Sequence, residues 1–374
     1  MPKKSPSVSV NPAVLKWLRE SSGIRLEEVS THLDVSVDVV SSWERGEDSP
    51  TLNQIKKMAR EYKRPSAAFF LLRPVPERDL PPDFRRLPDA EALTSKTRFA
   101  IRKAQYLQEI SSELMDNLNR KTDMDVNRAN LKDDPERRAN FERERTGISP
   151  DEQKKWEKPS EALNHWREYI QQRNILVFQF SMNVEELRGL ALTDLKPFVI
   201  VVSSSDSIKA RIFSLLHEYG HILLHKPALC IPDKPTVEKY GQAIERWCNH
   251  FAAAFLLPAE SVKKDFAELE ARNYKHLASM YEVSYRAMLI RLLELGLMSN
   301  HEFKQEWRKL KKPRQKVGGG GGENLAEKAV RERGSAFVSL VLENTQQGHI
   351  NYNDALDYLD VKTKHLQKLT GSTP

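Results

Sequence analysis

The sequence predicts an α+β fold, mostly α: an N-terminal helical bundle, a helical connector, a small mixed domain and a helical tail. Three observations carry this. Apolar residues recur at helical spacing through 11–70 and 98–170. Three short runs rich in Val, Ile and Phe read as strands: NILVFQF from Asn174, GLAL from Gly189 and PFVIVV from Pro197. Directly after them comes a nearly all-apolar helix, IFSLLHEYGHILLH, from Ile212 to His225. With 374 residues there is room for two or three domains.

The first unit spans residues 8–70. Val14–Glu20 reads as a helix with Leu15 and Leu18 inward, and Leu26–Leu33 as a second. Asp34, Val35 and Ser36 make a turn, with Ser36 placed to cap the helix Val37–Arg45 and Gly46 to end it. Ile55, Met58 and Ala59 mark a fourth helix. Two short helices joined by a tight turn inside a small bundle describe a helix-turn-helix. The stretch VSSWERGEDSPTLNQI resembles the Xre/Cro repressor family. That resemblance implies double-stranded operator DNA as partner, with Val37, Asp38, Ser41 and Ser42 toward the major groove and the cap Ser36 counted with them among the DNA-binding residues. Arg45 would approach phosphate, and a homodimer would be needed for useful affinity. The departure is chemical. No Arg or Lys precedes Arg45 in this helix and Asp38 would face an anion, so arginine–guanine pairing is missing. A protein-binding helix-turn-helix is the alternative.

Residues 71–96 form a Pro-rich linker, stiffened by Pro74, Pro76, Pro81, Pro82 and Pro88. Phe84, Arg85 and Arg86 within it are expected to pack on the next domain. The helical connector covers 97–172. Arg98–Arg120 carries the stripe Ile101, Ala104, Leu107, Ile110, Leu114 and Leu118, and Ala162–Ile170 turns Leu163 and Trp166 inward. The charged run Lys132–Arg145 reads as a solvated face.

In the mixed domain, residues 173–300, His217 and His221 sit four apart with Glu218 between them. On a helix that spacing places both imidazoles on one face, a turn apart. Both can then ligate zinc while Glu218 activates a water, the H-E-x-x-H arrangement of zinc metallopeptidases. Burying these polar groups in so apolar a helix is costly unless they are paired or hold a metal. A third ligand is needed. Glu245, on the helix IERWCNHFAAAFLLP that Pro258 closes, is the conspicuous candidate, and His225 and His250 compete with it.

HEYGHILLH followed by IERWCNHFAAAFLLP resembles the ImmA/IrrE metallopeptidases, whose fold is zincin-like. The resemblance implies His217, His221 and Glu245 as Zn2+ ligands and Glu218 as general base. Cys248 replaces the family's usual Ala, and Trp247 stands where the family often has an acidic residue. Either Phe178–Phe180 or Leu190–Leu192 is a candidate for the edge strand that holds substrate.

Residues 272–298 read as a second helix-turn-helix-like unit, with packing favoured and Arg286 and Arg291 leaving DNA open. A basic run, 303–317, leads to Gly318–Gly322, a flexible hinge that is either native or introduced, and then to a helical tail, 323–374. Net charge is +7 and the pI about 9.1, which favours an anionic partner. Cys230 and Cys248 are too few for a disulfide framework and read as small buried residues. Met1–Val10 lacks an apolar core and no apolar run is long enough to span a membrane, so a cytoplasmic protein is expected.

The expected function is a zinc-dependent regulatory metalloprotease fused to a DNA-binding domain. By family resemblance it cleaves a specific protein such as a repressor, in stress or mobile-element control. The alternative is a transcriptional regulator or antitoxin that binds a toxin encoded nearby. A third reading has the zincin fold sense a small ligand.

Overall fold

The computed structural model describes residues 6–78, 93–124, 126–226, 228–230, 239–269, 272–310 and 324–370. These fall into two compact units, 6–78 with 93–103 and the remainder. The linker residues Pro81, Pro82, Phe84, Arg85, Arg86 and Pro88 lie outside the described residues. So do the basic residues Lys311, Lys312, Arg314 and Lys316 and the hinge Gly318–Gly322. Among the described residues no helix is long and apolar enough to cross a membrane.

The first unit contains α1 (Pro12–Ser21), α2 (Leu26–Leu33), α3 (Val37–Arg45), α4 (Leu52–Glu61) and a 3-10 turn, Ser66–Phe70. Short polar side chains start α1, α3 and α4. Asn11 accepts from the Ala13 amide at 2.9 Å and Ser36 from that of Val39 at 3.4 Å. Thr51 and Gln54 form a reciprocal capping box. Gly46, at φ 77°, closes α3 in the left-handed region that glycine enters without steric cost. Leu18, Val29, Val40, Trp43, Ile55 and Phe69 share one core. Arg19 ties α1 to α3 by two bonds to Glu44, at 2.6 and 2.9 Å.

The chain leaves this unit within α5 (Ser95–Asn117). In the second unit α6 (Pro135–Glu144), α7 (Pro150–Gln153) and α8 (Pro159–Gln171) precede β1 (Ile175–Phe180), β2 (Gly189–Leu192) and β3 (Phe198–Ser203). Then come α9 (Ile208–Leu223), β4 (Ala228–Cys230), α10 (Lys239–Leu256) and α11 (Ala259–Ala267). Next are α12 (Tyr274–Met280), α13 (Tyr285–Glu294) and α14 (Asn300–Arg308). The tail is α15 (Leu325–Arg333), α16 (Ser335–Gln346), α17 (Tyr352–Leu359) and α18 (Thr363–Thr370). The sheet order is β1-β3-β2-β4, with β1 parallel to β3 and β2 antiparallel to both its neighbours. The fold is thus α+β and mostly α.

Both faces of the sheet are covered, so β1 and β3 are buried at every position. On one face Ile175, Val177, Ala191, Ile200 and Val202 join the core of α8, α9 and α10. On the other, Phe337 of α16 meets Phe178 edge-on at 5.5 Å, and Arg333 lies over Phe180. Gln108 of α5 donates to the carbonyls of Leu195 and Pro197 at 2.7 and 2.9 Å, fastening the turn between β2 and β3. Asn344 of α16 donates to the Leu114 carbonyl at 3.0 Å. The tail therefore belongs to the body of this unit.

Two expectations change, one about the charged run and one about the edge of the sheet. The run Lys132–Arg145 is a solvated face only in part: Lys132, Asp133, Asp134, Arg137, Glu144 and Arg145 are exposed, but α6 packs along α10, with Glu142 fully buried and Arg143 only 6 % exposed. The burial is tolerated because each charge has partners. Glu142 receives the hydroxyls of Tyr169 and Tyr219, and Arg143 donates to the Phe255 carbonyl over the Trp166 ring. β4 was not foreseen, being only three residues long. Its pairing makes β2 an interior strand, while β1, at the opposite end, has its Val177 carbonyl bonded by Arg167 and its Gln179 side chain by α15.

Candidate metal centre

Ser207 caps α9, accepting from the Ala210 amide at 3.3 Å. From there the helix runs unbroken to Leu223 and carries His217, Glu218 and His221, all buried. Tyr219 fixes its rotation. Two residues from each histidine, it points about 200° away from both around the helix. Its hydroxyl donates to Glu142 of α6 at 2.8 Å. Burial and the Glu142 carboxylate raise the tyrosine's pKa well above its ordinary value, so it remains a donor.

The facing helix, α10, approaches closely at Gly220. A β-carbon there would stand 3.2 Å from Cys248 Sγ and 3.3 Å from Cys248 Cα, which is why small residues occupy both positions. The approach brings Glu245 onto the histidines. His217 Nε2 is 3.1 Å from His221 Nε2 and 3.2 Å from one Glu245 oxygen, while His221 Nε2 is 3.3 Å from the other. Burial pushes the Glu245 carboxyl up, but His217 and His221 beside it outweigh burial and hold it far below the carboxylate range.

These spacings fit a zinc ion. Nitrogen and oxygen ligands about 2.0–2.1 Å from a tetrahedral zinc stand about 3.3 Å from one another. Among the described residues His217, His221 and Glu245 form the one group of three or more such side chains with ligand atoms close enough for a shared ion.

Glu218 is fully buried beside this cluster, and Gly189 at the start of β2 leaves it room. A β-carbon on Gly189 would lie 2.5 Å from Glu218 Oε1 and 2.9 Å from its Cγ. Neither Gly189 nor the Tyr219–Glu142 anchor was singled out from sequence, because neither carries a motif.

The competing histidines lie elsewhere. α9 ends before His225, which is left-handed at φ 51° and meets Phe198 edge-on at 5.3 Å. It is not a further turn of the same helix. His250 turns to Glu136 of α6 at 3.1 Å, and Arg291 donates to the same carboxylate at 2.6 Å. The Glu136 hydrogen bonds outweigh burial and hold its carboxyl at about 2, while His250 is raised by the same bond. Arg291 is 1 % exposed and also bonds the Leu257 carbonyl, so it is a core residue and offers DNA nothing. Trp247 donates its indole N–H to the Asp133 carbonyl at 2.8 Å, a structural role at that position. Cys248 is buried against Gly220, and the side chain of Cys230 lies outside the described residues.

A cleft of 520 Å³ opens beside His217 and Glu218. Its walls come from α9, α10 and α13, so the second helix-turn-helix-like unit shapes this cleft.

In the first unit, Ser36, Asp38 and Arg45 are exposed along α3, and Val37, Ser41 and Ser42 are half-buried. Ser42 returns its hydroxyl to the Val39 carbonyl at 2.7 Å, and Arg45 is held by Glu47 through two bonds of 2.7 Å.

Fold and site together define a helix-turn-helix unit joined to a metallopeptidase-like α+β unit. The comparison with known families agrees. Residues 15–69 match the helix-turn-helix family model, and residues 170–293 match peptidase family M78, the IrrE N-terminal-like domain. The resemblance in the sequence is thereby confirmed as a fused architecture. No curated protein matches the chain.

Proposed function

We propose that this protein is a zinc-dependent regulatory metalloprotease that binds operator DNA through its first unit and cleaves a specific protein, such as a repressor, in the cytoplasm. The observation that carries the reading is the triangle of His217, His221 and Glu245, with edges of 3.1–3.3 Å, beside a buried glutamate and an open cleft. His217, His221 and Glu245 would hold the ion, which when bound polarises a carbonyl and acidifies a water. Glu218 accepts the proton of the attacking water and passes it to the leaving amine. Gly189 and the α9 helix keep its carboxylate in place. Ser36, Val37, Asp38, Ser41, Ser42 and Arg45 form the DNA-facing edge, used as a homodimer.

A second reading, a regulator or antitoxin that binds a neighbouring toxin without cutting it, draws on α3. Its exposed face carries Asp38, and its Arg45 is engaged by Glu47, a poor surface for base readout. Glu218→Gln separates the two. It preserves shape and metal but removes the proton acceptor, a loss of about 10²–10⁴-fold, or about 3–5 kcal/mol of barrier. Partner cleavage should vanish while zinc content and DNA binding persist. Normal regulation by this variant, with no partner fragment ever formed by the wild type, would establish the binder.

A further inference from the structure

The walls of the cleft say what the enzyme selects; this inference rests on the metalloprotease reading. The floor is apolar, with Phe213 of α9, Ala253 of α10, and Ala287 and Ile290 of α13. Ile290 is 37 % exposed, an isoleucine left facing the opening. Around this floor stand three arginines from three elements: Arg188 before β2, Arg246 on α10 and Arg286 on α13. Arg246 is exposed and directly follows Glu245 in the chain. Arg286 is half-buried, its guanidinium 4.8 Å above the Trp307 ring, and Arg188 lies 3.4 Å from Asp206. The carboxylates lining the cleft are Glu218 and Glu294. Glu294 already faces Arg291, at 3.7 Å.

We propose that the cleft recognises a protein segment in which an apolar side chain is flanked by aspartate or glutamate. The apolar side chain lies on Phe213 and Ile290, and the flanking carboxylates meet Arg246 and Arg286. Arginine suits this role because its planar fork matches a carboxylate in two places. The low-dielectric floor strengthens such pairs relative to open surface. A nucleic-acid strand would find cations here too, but the apolar floor beside Glu218 and His217 favours a peptide.

Binding tests this without requiring turnover. The Glu218→Gln protein, full-length and zinc-loaded, is titrated with fluorescent peptides that share one leucine and differ only in flanking Asp, Asn or Lys. The Asp peptide should bind about 10-fold more tightly than the Lys peptide, equivalent to about 1.4 kcal/mol. In the added Arg246→Glu/Arg286→Glu background the order should reverse. Arg246→Gln/Arg286→Gln, checked like the first for zinc content and melting, should flatten the preference if the reversal variant does not fold. Equal binding of the three peptides, or a preference unmoved by either double variant, overturns the proposal. Displacement by a short oligonucleotide as readily as by the Asp peptide overturns it in favour of nucleic acid. The expected preference in binding, with no peptide cut by the wild type, upholds the recognition and overturns the protease reading.

Discussion

Adding one methyl group at Gly189 should disable the site from a position that ligates nothing. The β-carbon of Gly189→Ala would lie 2.5 Å from Glu218 Oε1, 2.9 Å from Cγ and 3.0 Å from Cδ. The strand cannot retreat, because Gly189 pairs with Val202 on one side and Cys230 on the other. The glutamate must therefore move by about 1 Å to regain ordinary contact, within a site where it is fully buried. Overpacking of this kind costs about 1–3 kcal/mol of stability. A 1 Å displacement of a reacting group costs about 100-fold in rate, or about 2.7 kcal/mol. Zinc content should stay unchanged, because none of the three ligands is touched. Gly220→Ala gives the contrast. Its β-carbon meets Cys248 at 3.2 Å, so α9 and α10 must part slightly and metal retention should suffer first. The measurements are thermal melting, zinc content by mass spectrometry and cleavage of a peptide library. A Gly189→Ala protein that melts and cleaves like the wild type would refute the argument.

Other outcomes follow from the same geometry. His217→Ala or His221→Ala should empty a site that otherwise holds about one zinc per chain, and Glu245→Ala should weaken retention more than His225→Ala or His250→Ala; the reverse order would move the third ligand. The Glu136–His250 pair sets a pH window. Glu136 is depressed from 4.5 to about 2, so its contribution is present above pH 4.5 and is lost as pH falls toward 2, worth about 3 kcal/mol at most. His250 is raised above 6.5, so its contribution is complete below pH 6.5 and is lost as pH rises through the raised value. Glu136→Gln should therefore destabilise most between about pH 4.5 and 6.5, seen by urea denaturation, and a cost independent of pH would contradict the pairing. DNA binding should depend on residues 11–70 and fall steeply with salt, and a chain lacking 1–96 that binds the same DNA equally well would overturn the assignment.

Sequence alone determined what depends on neighbours in the chain. The spacing of His217 and His221 places them on one helix face whatever surrounds the helix. Ser36 and Gly46 bracket α3 because caps act within a turn. The apolar runs marked three of the described strands, since a sheet covered on both faces needs apolar residues at every position. Tertiary structure decided what depends on distant partners. Glu245, His225 and His250 can all ligate zinc, and before the structure Glu245 led only by its place on the next helix and by the family resemblance. Only the close crossing at Gly220 and Cys248 sets Glu245 against the histidines, while His225 falls past a helix end and His250 is taken by Glu136. The charged run of α6 reads as wholly solvated because the partners of its buried Glu142, Tyr169 and Tyr219, are 27 and 77 residues away. The tail carried no motif, yet Phe337 and Arg333 close the second face of the sheet. Contacts of that range leave no period in the sequence, because each is a single pairing fixed by how helices and sheet pack rather than by a repeat along the chain.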